Sequence, residues 1–362
     1  MLPTPSTSHV SYDLIYEPAE DSYLFLDTLS SESESAWLRA RFSRRSSGIN
    51  TELTSANNGK TKTKITGQGN AAPPLVVEIG PGSGVVVAFL TAHASTIFGT
   101  DVLSLSVDVN PYACRAARMT VEKALRETKA AIPQRQLESQ KEGMAATSEK
   151  QTKGTDEKRD AAAIEAQDGQ SIYLASLQGD LATPLRGGEV DILVFNPPYV
   201  PTESVPVAPS TNPVTTTTTV SNPSPAPLPP QSSPPSSRPT FEQQSHLLAL
   251  SYAGGFDGME VTRRLLDQIP EILSPRGVAY VLFCRGNRPD EVKRWIRSWG
   301  SPEQEQQEQQ EQQEQQPDDE AEMQGQAQGQ AQGQDRWRAE TVGSSGKTAG
   351  WEKLEIVRIW RE

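Results

Sequence analysis

Leu75-Val76-Val77-Glu78-Ile79 is an apolar run that stops at Gly80-Pro81-Gly82-Ser83-Gly84 and is followed at once by Val85–Ala92. A short apolar run bounded by glycines reads as a buried strand, and the apolar stretch after the turn reads as a helix. A strand handed straight to a helix opens a crossover unit, and the same alternation continues along the chain. Leu103–Val109 reads as a second strand, and Pro111–Arg126 as a helix with Pro at its first position. Ile172–Leu177 is a third strand. Val190–Phe195 is a fourth, with an apolar run typical of a strand covered on both faces. Gly258–Leu273 and Pro289–Trp299 read as helices around a fifth strand, Val278–Cys284, and Arg336–Val342 with Leu354–Trp360 read as a closing pair. Strands alternating with helices imply an α/β fold with a mostly parallel sheet and right-handed crossovers.

The chain is longer than this framework needs. It has 362 residues with 35% hydrophobic content, and the deficit is concentrated. Ser43–Ala72 is rich in Ser, Thr, Asn, Gly and Lys; Glu127–Gln170 is rich in Lys, Glu, Gln and Ala, a composition open to partial helix or disorder. Val205–Gln243 carries a Thr run and many prolines, and Gly300–Gln334 is a Gln/Glu and Gly/Gln repeat. None buries enough apolar surface to offset its ordering entropy. The expectation is one domain over 1–362, interrupted at about 43–72, 127–170, 205–243 and 300–334. Loops accept such length cheaply; the other reading is docking tails or a mobile lid.

Several classes are not expected. There is no run of about 18 apolar residues for a membrane span, and no charged-then-apolar leader. Cys114 and Cys284 are too few for a disulfide framework or a Cys-rich zinc site, so no metal site is expected. The expected compartment is reducing: the cytoplasm, with the nucleus as an alternative. The net charge of −12 comes largely from Gly300–Gln334, which holds nine acids and no Lys or Arg. The rest is near neutral, without the basic total of a nucleic-acid binder.

In parallel sheets ligands bind at the carboxyl ends of strands, and four such ends carry candidate residues. The loop Glu78–Gly84 lets backbone approach a ligand closely, or is simply a turn. It fails G-x-G-x-x-G, with Val85 or Val87 at the last position, and lacks a P-loop lysine. Asp108 could accept from both hydroxyls of a ribose, or serve as an acid ahead of the helix at Pro111. In Gly179-Asp180-Leu181, a carboxylate beside a backbone N–H could pair with adenine, or Asp180 could be an ordinary turn residue. Asn196-Pro197-Pro198-Tyr199 is the most specific. Two prolines fix the backbone direction, so the Asn oxygen and a neighbouring carbonyl form two rigid acceptors suited to a planar NH2 group. Tyr199 adds a stacking face.

Together these residues resemble the class I S-adenosylmethionine-dependent methyltransferases, and the tetrad marks the subset that methylates planar nitrogens. Tyr16–Asp27, which reads as a helix opening with Pro and acids, together with Asn196–Val200 and Leu273-Ser274-Pro275-Arg276-Gly277, looks like the eukaryotic and archaeal HemK-like glutamine methyltransferases. The resemblance spans nearly all of the chain outside the insertions. It implies a seven-stranded sheet in the order 3-2-1-4-5-7-6 with helices on both faces. It implies N5-methylation of the glutamine in the Gly-Gly-Gln motif of the class I translation termination factor. By matched position, Ser22, Glu78, Gly80, Gly82, Asp108, Asp180, Leu181 and Asn196 would hold S-adenosylmethionine. Asn196, Pro197, Pro198 and Tyr199 would be catalytic and, with Val200, would line the amide pocket. It further implies a small zinc-binding activator subunit, added at the edge strand Ile172–Leu177, which lacks the charges or Pro that blunt an edge; the alternative cover is the chain's own 127–170 segment.

The sequence departs from the family in three places. The loop after the tetrad is long and Pro/Thr-rich, Tyr252 stands where relatives usually carry Trp, and the segment before Leu75 leaves no room for the helical N-terminal domain of the bacterial enzymes. His9, His93 and His246 lie outside the strand ends, so no strong base is expected at the site. Competing readings are an adenine-N6 methyltransferase, since that amine is also planar, a protein lysine methyltransferase, and a non-catalytic scaffold using the Pro- and Gln-rich tracts.

Overall fold

The computed structural model describes residues 2–42, 72–146, 170–208, 239–300, 336–345 and 353–362, with backbone alone over 131–146. Its centre is a seven-stranded sheet of β1 (Leu75–Ile79), β2 (Leu103–Asp108), β3 (Ile172–Gln178), β4 (Val190–Phe195), β5 (Leu273–Cys284), β6 (Trp337–Ser344) and β7 (Leu354–Arg361). The order is β3-β2-β1-β4-β5-β7-β6, as expected. The first five strands pair in parallel, and β7 runs antiparallel to both β5 and β6.

Strand alternation divides the core into two layers. Val77 and Ile79 of β1, Leu193 and Phe195 of β4, and Val281 and Phe283 of β5 face α7 (Glu260–Ile272) and α8 (Pro289–Ser298). Their neighbours Val76, Ile192, Val194, Tyr280 and Leu282 face α1 (Glu20–Ser30), α2 (Glu32–Phe42), α3 (Val85–Ala92) and α4 (Ala94–Phe98). Among the described residues no helix is long and apolar enough to cross a membrane.

Register sets the site. Ile79 pairs with Val107 on one side and Phe195 on the other, and Asp108 pairs with Gln178. The residues that follow β1, β3 and β4, together with Asp108 at the end of β2, therefore meet at one rim. Between β1 and β4 the strand order reverses, which opens a crevice there.

The structure narrows the expected insertions. The helix α5 (Pro111–Ala146) runs well beyond Arg126 into the Lys/Glu/Gln-rich stretch; residues 147–169 lie outside the described residues. Residues 205–208 and 239–243 are described, and α6 (Phe241–Tyr252) begins inside the Pro/Thr-rich stretch. Residues 43–71, 209–238 and 301–335 also lie outside the described residues. β5 starts at Leu273 rather than Val278, because a register shift between Val190 and Ile192 accommodates Ser274–Gly277. The helix expected from Gly258 starts at Glu260, after a tight turn at Phe256–Gly258.

Candidate active site

The glycine loop after β1 needs its glycines. Gly80, Gly82 and Gly84 have φ of 62°, 53° and 79°, values that L side chains rarely adopt. Gly80 N–H donates to Val107 O at 2.8 Å, tying the loop to β2. A Cβ on Gly84 would lie 2.4 Å from Ala117 Cα, so this glycine lets α3 pack directly on α5.

Two acids close the loop. Glu78 is buried, and its Oε2 accepts from Val87 N–H in the first turn of α3 at 2.8 Å. Burial pushes its carboxyl up to about 8, against the lowering effect of that bond. Asp108 accepts from Gly82 N–H at 3.3 Å and from Asn110 N–H at 2.8 Å. Desolvation raises it to about 6.

The N-terminal segment lies over this loop. Asn110 Nδ2 donates to Leu14 O at 2.8 Å, and Ile15 is buried against Ala113 and Ala116. Beyond it, Asp21 accepts from Ser22 N–H at 2.6 Å. Burial, then the charge of Asp21 and a hydrogen bond to it, push the Tyr16 hydroxyl up to about 12.

At the end of β3, Gly179 N–H donates to Asp108 O at 3.0 Å. Leu181 is buried with φ 51°, and Asp180 forms an ion pair with Arg264 from α7. At the end of β4, the Asn196 side-chain oxygen is buried with no hydrogen-bond partner among the described residues. A buried acceptor left unpaired is costly, so the position is poised for a donor from outside the chain. Val200 N–H donates to Tyr252 O at 3.0 Å, and Gly254 N–H to Val200 O at 2.9 Å, pinning the corner to the end of α6.

One cleft of about 410 Å³ joins these parts, within the range of small-molecule sites. All twelve residues named from the sequence line it: Ser22, Glu78, Gly80, Gly82, Asp108, Asp180, Leu181, Asn196, Pro197, Pro198, Tyr199 and Val200. Other residues on its walls had no site role expected from the sequence. Leu14, Tyr16 and Asp21 come from the N-terminal segment, Asn110 from the turn after β2, and Arg264 from α7. Val205–Ala208 and Leu247, Leu250, Ser251 and Tyr252 build the outer wall, where His246 Nε2 lies 2.9 Å from Val207 O. A signal for α6 was available: Thr240 and Gln243 form a capping box, each side chain bonding the other's backbone N–H.

The donor set fits a cationic, ribose-bearing ligand. It offers the Asp108 carboxylate, a glycine cradle that admits close backbone approach, and an unpaired Asn196 oxygen on the same cleft.

No family model matches the chain. It is 27% identical over 300 residues to methyltransferase HEMK2 of Homo sapiens, across 82% of this chain and 86% of that protein. It is 25% identical over 294 residues to the eRF1 methyltransferase catalytic subunit mtq2 of Schizosaccharomyces pombe, across 80% and 81%. A 42-residue stretch is 48% identical to the release factor glutamine methyltransferase of Moorella thermoacetica, 12% of this chain and 15% of that one. Among solved structures, the E. cuniculi Mtq2-Trm112 complex that methylates the eRF1 termination factor aligns with a TM-score of 0.39 at 14% identity, over 96% of this chain and 99% of that one. The likeness to HEMK2 and mtq2 covers about four fifths of the chain, and on these homologues the chain is a protein methyltransferase.

Proposed function

We propose that the chain moves a methyl group from S-adenosylmethionine to the side-chain amide nitrogen of the glutamine in the Gly-Gly-Gln motif of a eukaryotic class I translation termination factor. The observation that carries this is the unpaired, buried Asn196 oxygen on the same cleft as the glycine loop and Asp108. An acceptor held rigid by Pro197 and Pro198 matches one in-plane hydrogen of an NH2 group. The names of the relatives, an eRF1 methyltransferase subunit among them, point to the same substrate.

Glu78, Gly80, Gly82, Asp108, Asp180, Leu181 and Ser22 would hold the donor, with Asp108 toward the ribose and Asp180 with the Leu181 amide toward the adenine. When bound, S-adenosylmethionine supplies an electrophilic methyl on a sulfonium that leaves without acid assistance. The protein's task is then the nitrogen. An amide nitrogen is a weak nucleophile because its lone pair is delocalised into the carbonyl. As it attacks, it becomes tetrahedral and its hydrogens become more positive. The Asn196 oxygen and a carbonyl of the corner, aimed at those hydrogens, bind this state better than the planar ground state. Tyr199 stacks on the flat amide and Val200 closes the pocket. The surplus proton leaves to water once the nitrogen is cationic, so no base is needed beside it.

A partner is part of the proposal. β3 is an edge of the sheet, and Ile172 and Leu174 on it are each 52% exposed. A small zinc-binding activator subunit would cover that edge by strand addition.

The test is transfer itself. The chain with its activator subunit is incubated with methyl-labelled donor, a Gly-Gly-Gln protein and duplex DNA. Label on the glutamine of the protein is the expected result; label on the DNA, or on a lysine, overturns the reading.

A further inference from the structure

The corner that carries Asn196 has a back as well as a front. Behind it lies the loop Gly254–Gly258, packed so closely that a Cβ on Gly254 would sit 2.3 Å from Pro198 O, and one on Gly258 2.1 Å from Tyr199 O. One side chain ties this contact to the sheet. Asn287 is 3% exposed and stands just beyond the carboxyl end of β5. Its Oδ1 accepts from Cys284 N–H at 2.8 Å. Its Nδ2 donates to Asp257 O at 3.0 Å, and lies 3.4 Å from both Tyr199 O and Gly258 O. Two N–H bonds are thus shared among three carbonyls, one of them in the tetrad.

The surrounding backbone is bent to make this possible. Asp257 and Arg288 are left-handed at φ 54° and 51°, rare for residues other than glycine, and their side chains face each other at 4.0 Å. Such conformations persist only where neighbours over-determine them. Here the neighbour is Asn287, which bonds Asp257 directly and precedes Arg288.

We propose that Asn287 is a positioning residue for methyl transfer: it holds the back of the Asn196–Tyr199 corner against the end of β5, and so sets the direction in which the Asn196 oxygen meets the substrate amide. This rests on the functional reading above. Asn287 does not line the cleft and touches neither donor nor amide. Its effect therefore falls on turnover, where a displacement of about 1 Å can cost on the order of 100-fold, and spares donor affinity.

The test uses the full chain with its activator and two variants. Asn287→Ala removes both halves of the link; Asn287→Asp keeps the acceptor for Cys284 N–H and puts in place of the donor an oxygen that the three carbonyls repel, with β1 exchange as the control for folding. The readouts are kcat and KM on a Gly-Gly-Gln protein, donor Kd by calorimetry, and hydrogen exchange at the Val200 amide. The expected result for Asn287→Asp is a kcat lower by about 10- to 100-fold, donor Kd within about twofold, and faster exchange at Val200 with β1 amides still protected. A kcat within twofold of the native chain, or a donor Kd weakened by the same factor as kcat, overturns the inference. If the native chain transfers nothing to the Gly-Gly-Gln protein, the functional reading fails separately. Exchange then decides this one, and unchanged protection at Val200 overturns it.

Discussion

Glu78 Oε2 lies 2.8 Å from the amide nitrogen of Val87, so the acid one residue before the end of β1 also caps the first turn of α3. Because it is buried, this carboxyl keeps its proton up to about pH 8 in the folded chain, against an ordinary value of 4.5. Between those values the folded state binds more protons than the unfolded one, so stability is lost as pH rises through that window. Asp108, raised from 3.8 to about 6, adds to the loss at the lower end. Glu78→Gln keeps an acceptor for Val87 and removes the titration. Its melting temperature relative to the native chain is expected to climb steadily from pH 5 to pH 8. A difference that does not change with pH contradicts the assignment.

The tight glycine between α3 and α5 gives a second expectation. Gly84 and Gly188 both have positive φ, 79° and 74°, but a Cβ at Gly188 meets nothing within 4 Å while one at Gly84 meets Ala117 at 2.4 Å. Gly188→Ala should cost about 1–2 kcal/mol from backbone strain alone. Gly84→Ala adds overpacking of about 1–3 kcal/mol. Chemical denaturation of the two variants measures the gap, and equal losses would show that α3 is free to shift away from α5.

Much of this architecture is legible in the sequence, and the reasons differ by element. β1, β4 and β5 announce themselves as apolar runs because both faces are covered. The strand-end residues are legible because each breaks its apolar run with a distinctive type, glycines at Gly80 and Gly82, an acid at Asp108 and a proline-locked Asn at 196, and all of them line the one cleft. α2 carries a weak signal because its inner face mixes buried Leu38 and Phe42 with a buried ion pair. Glu34 bonds Arg358 at 2.9 Å, and the guanidinium of Arg358 lies 4.1 Å from the Trp37 ring. Such a pairing across 324 positions leaves no local signal. α6 is masked by its neighbours, since the prolines before it dominate the composition although Thr240 and Gln243 mark its start. Asn287 is invisible for a different reason: its importance lies in which carbonyls surround it, and that exists only once β5 and the 254–258 loop are folded together.

At the sheet edge, Leu174 is the residue to change. A charge there should blunt strand addition without touching the cleft, which it does not line. Leu174→Arg is expected to reduce co-purification of the activator subunit by about tenfold or more, equivalent to about 1.4 kcal/mol, while donor affinity of whatever complex remains is unchanged. Undiminished co-purification would place the partner elsewhere on the molecule.

The central claim is that the Asn196 oxygen receives the substrate amide beside a donor held by the other half of the cleft. Its direct test is the pair of quantities measured on Asn196→Ala in the full complex: turnover on the Gly-Gly-Gln protein and donor Kd by calorimetry. Loss of one such preorganised hydrogen-bonding group typically costs about 10²- to 10³-fold in rate. The account predicts that fall in kcat with donor Kd held within about threefold of the native value. Turnover equal to that of the native chain contradicts it.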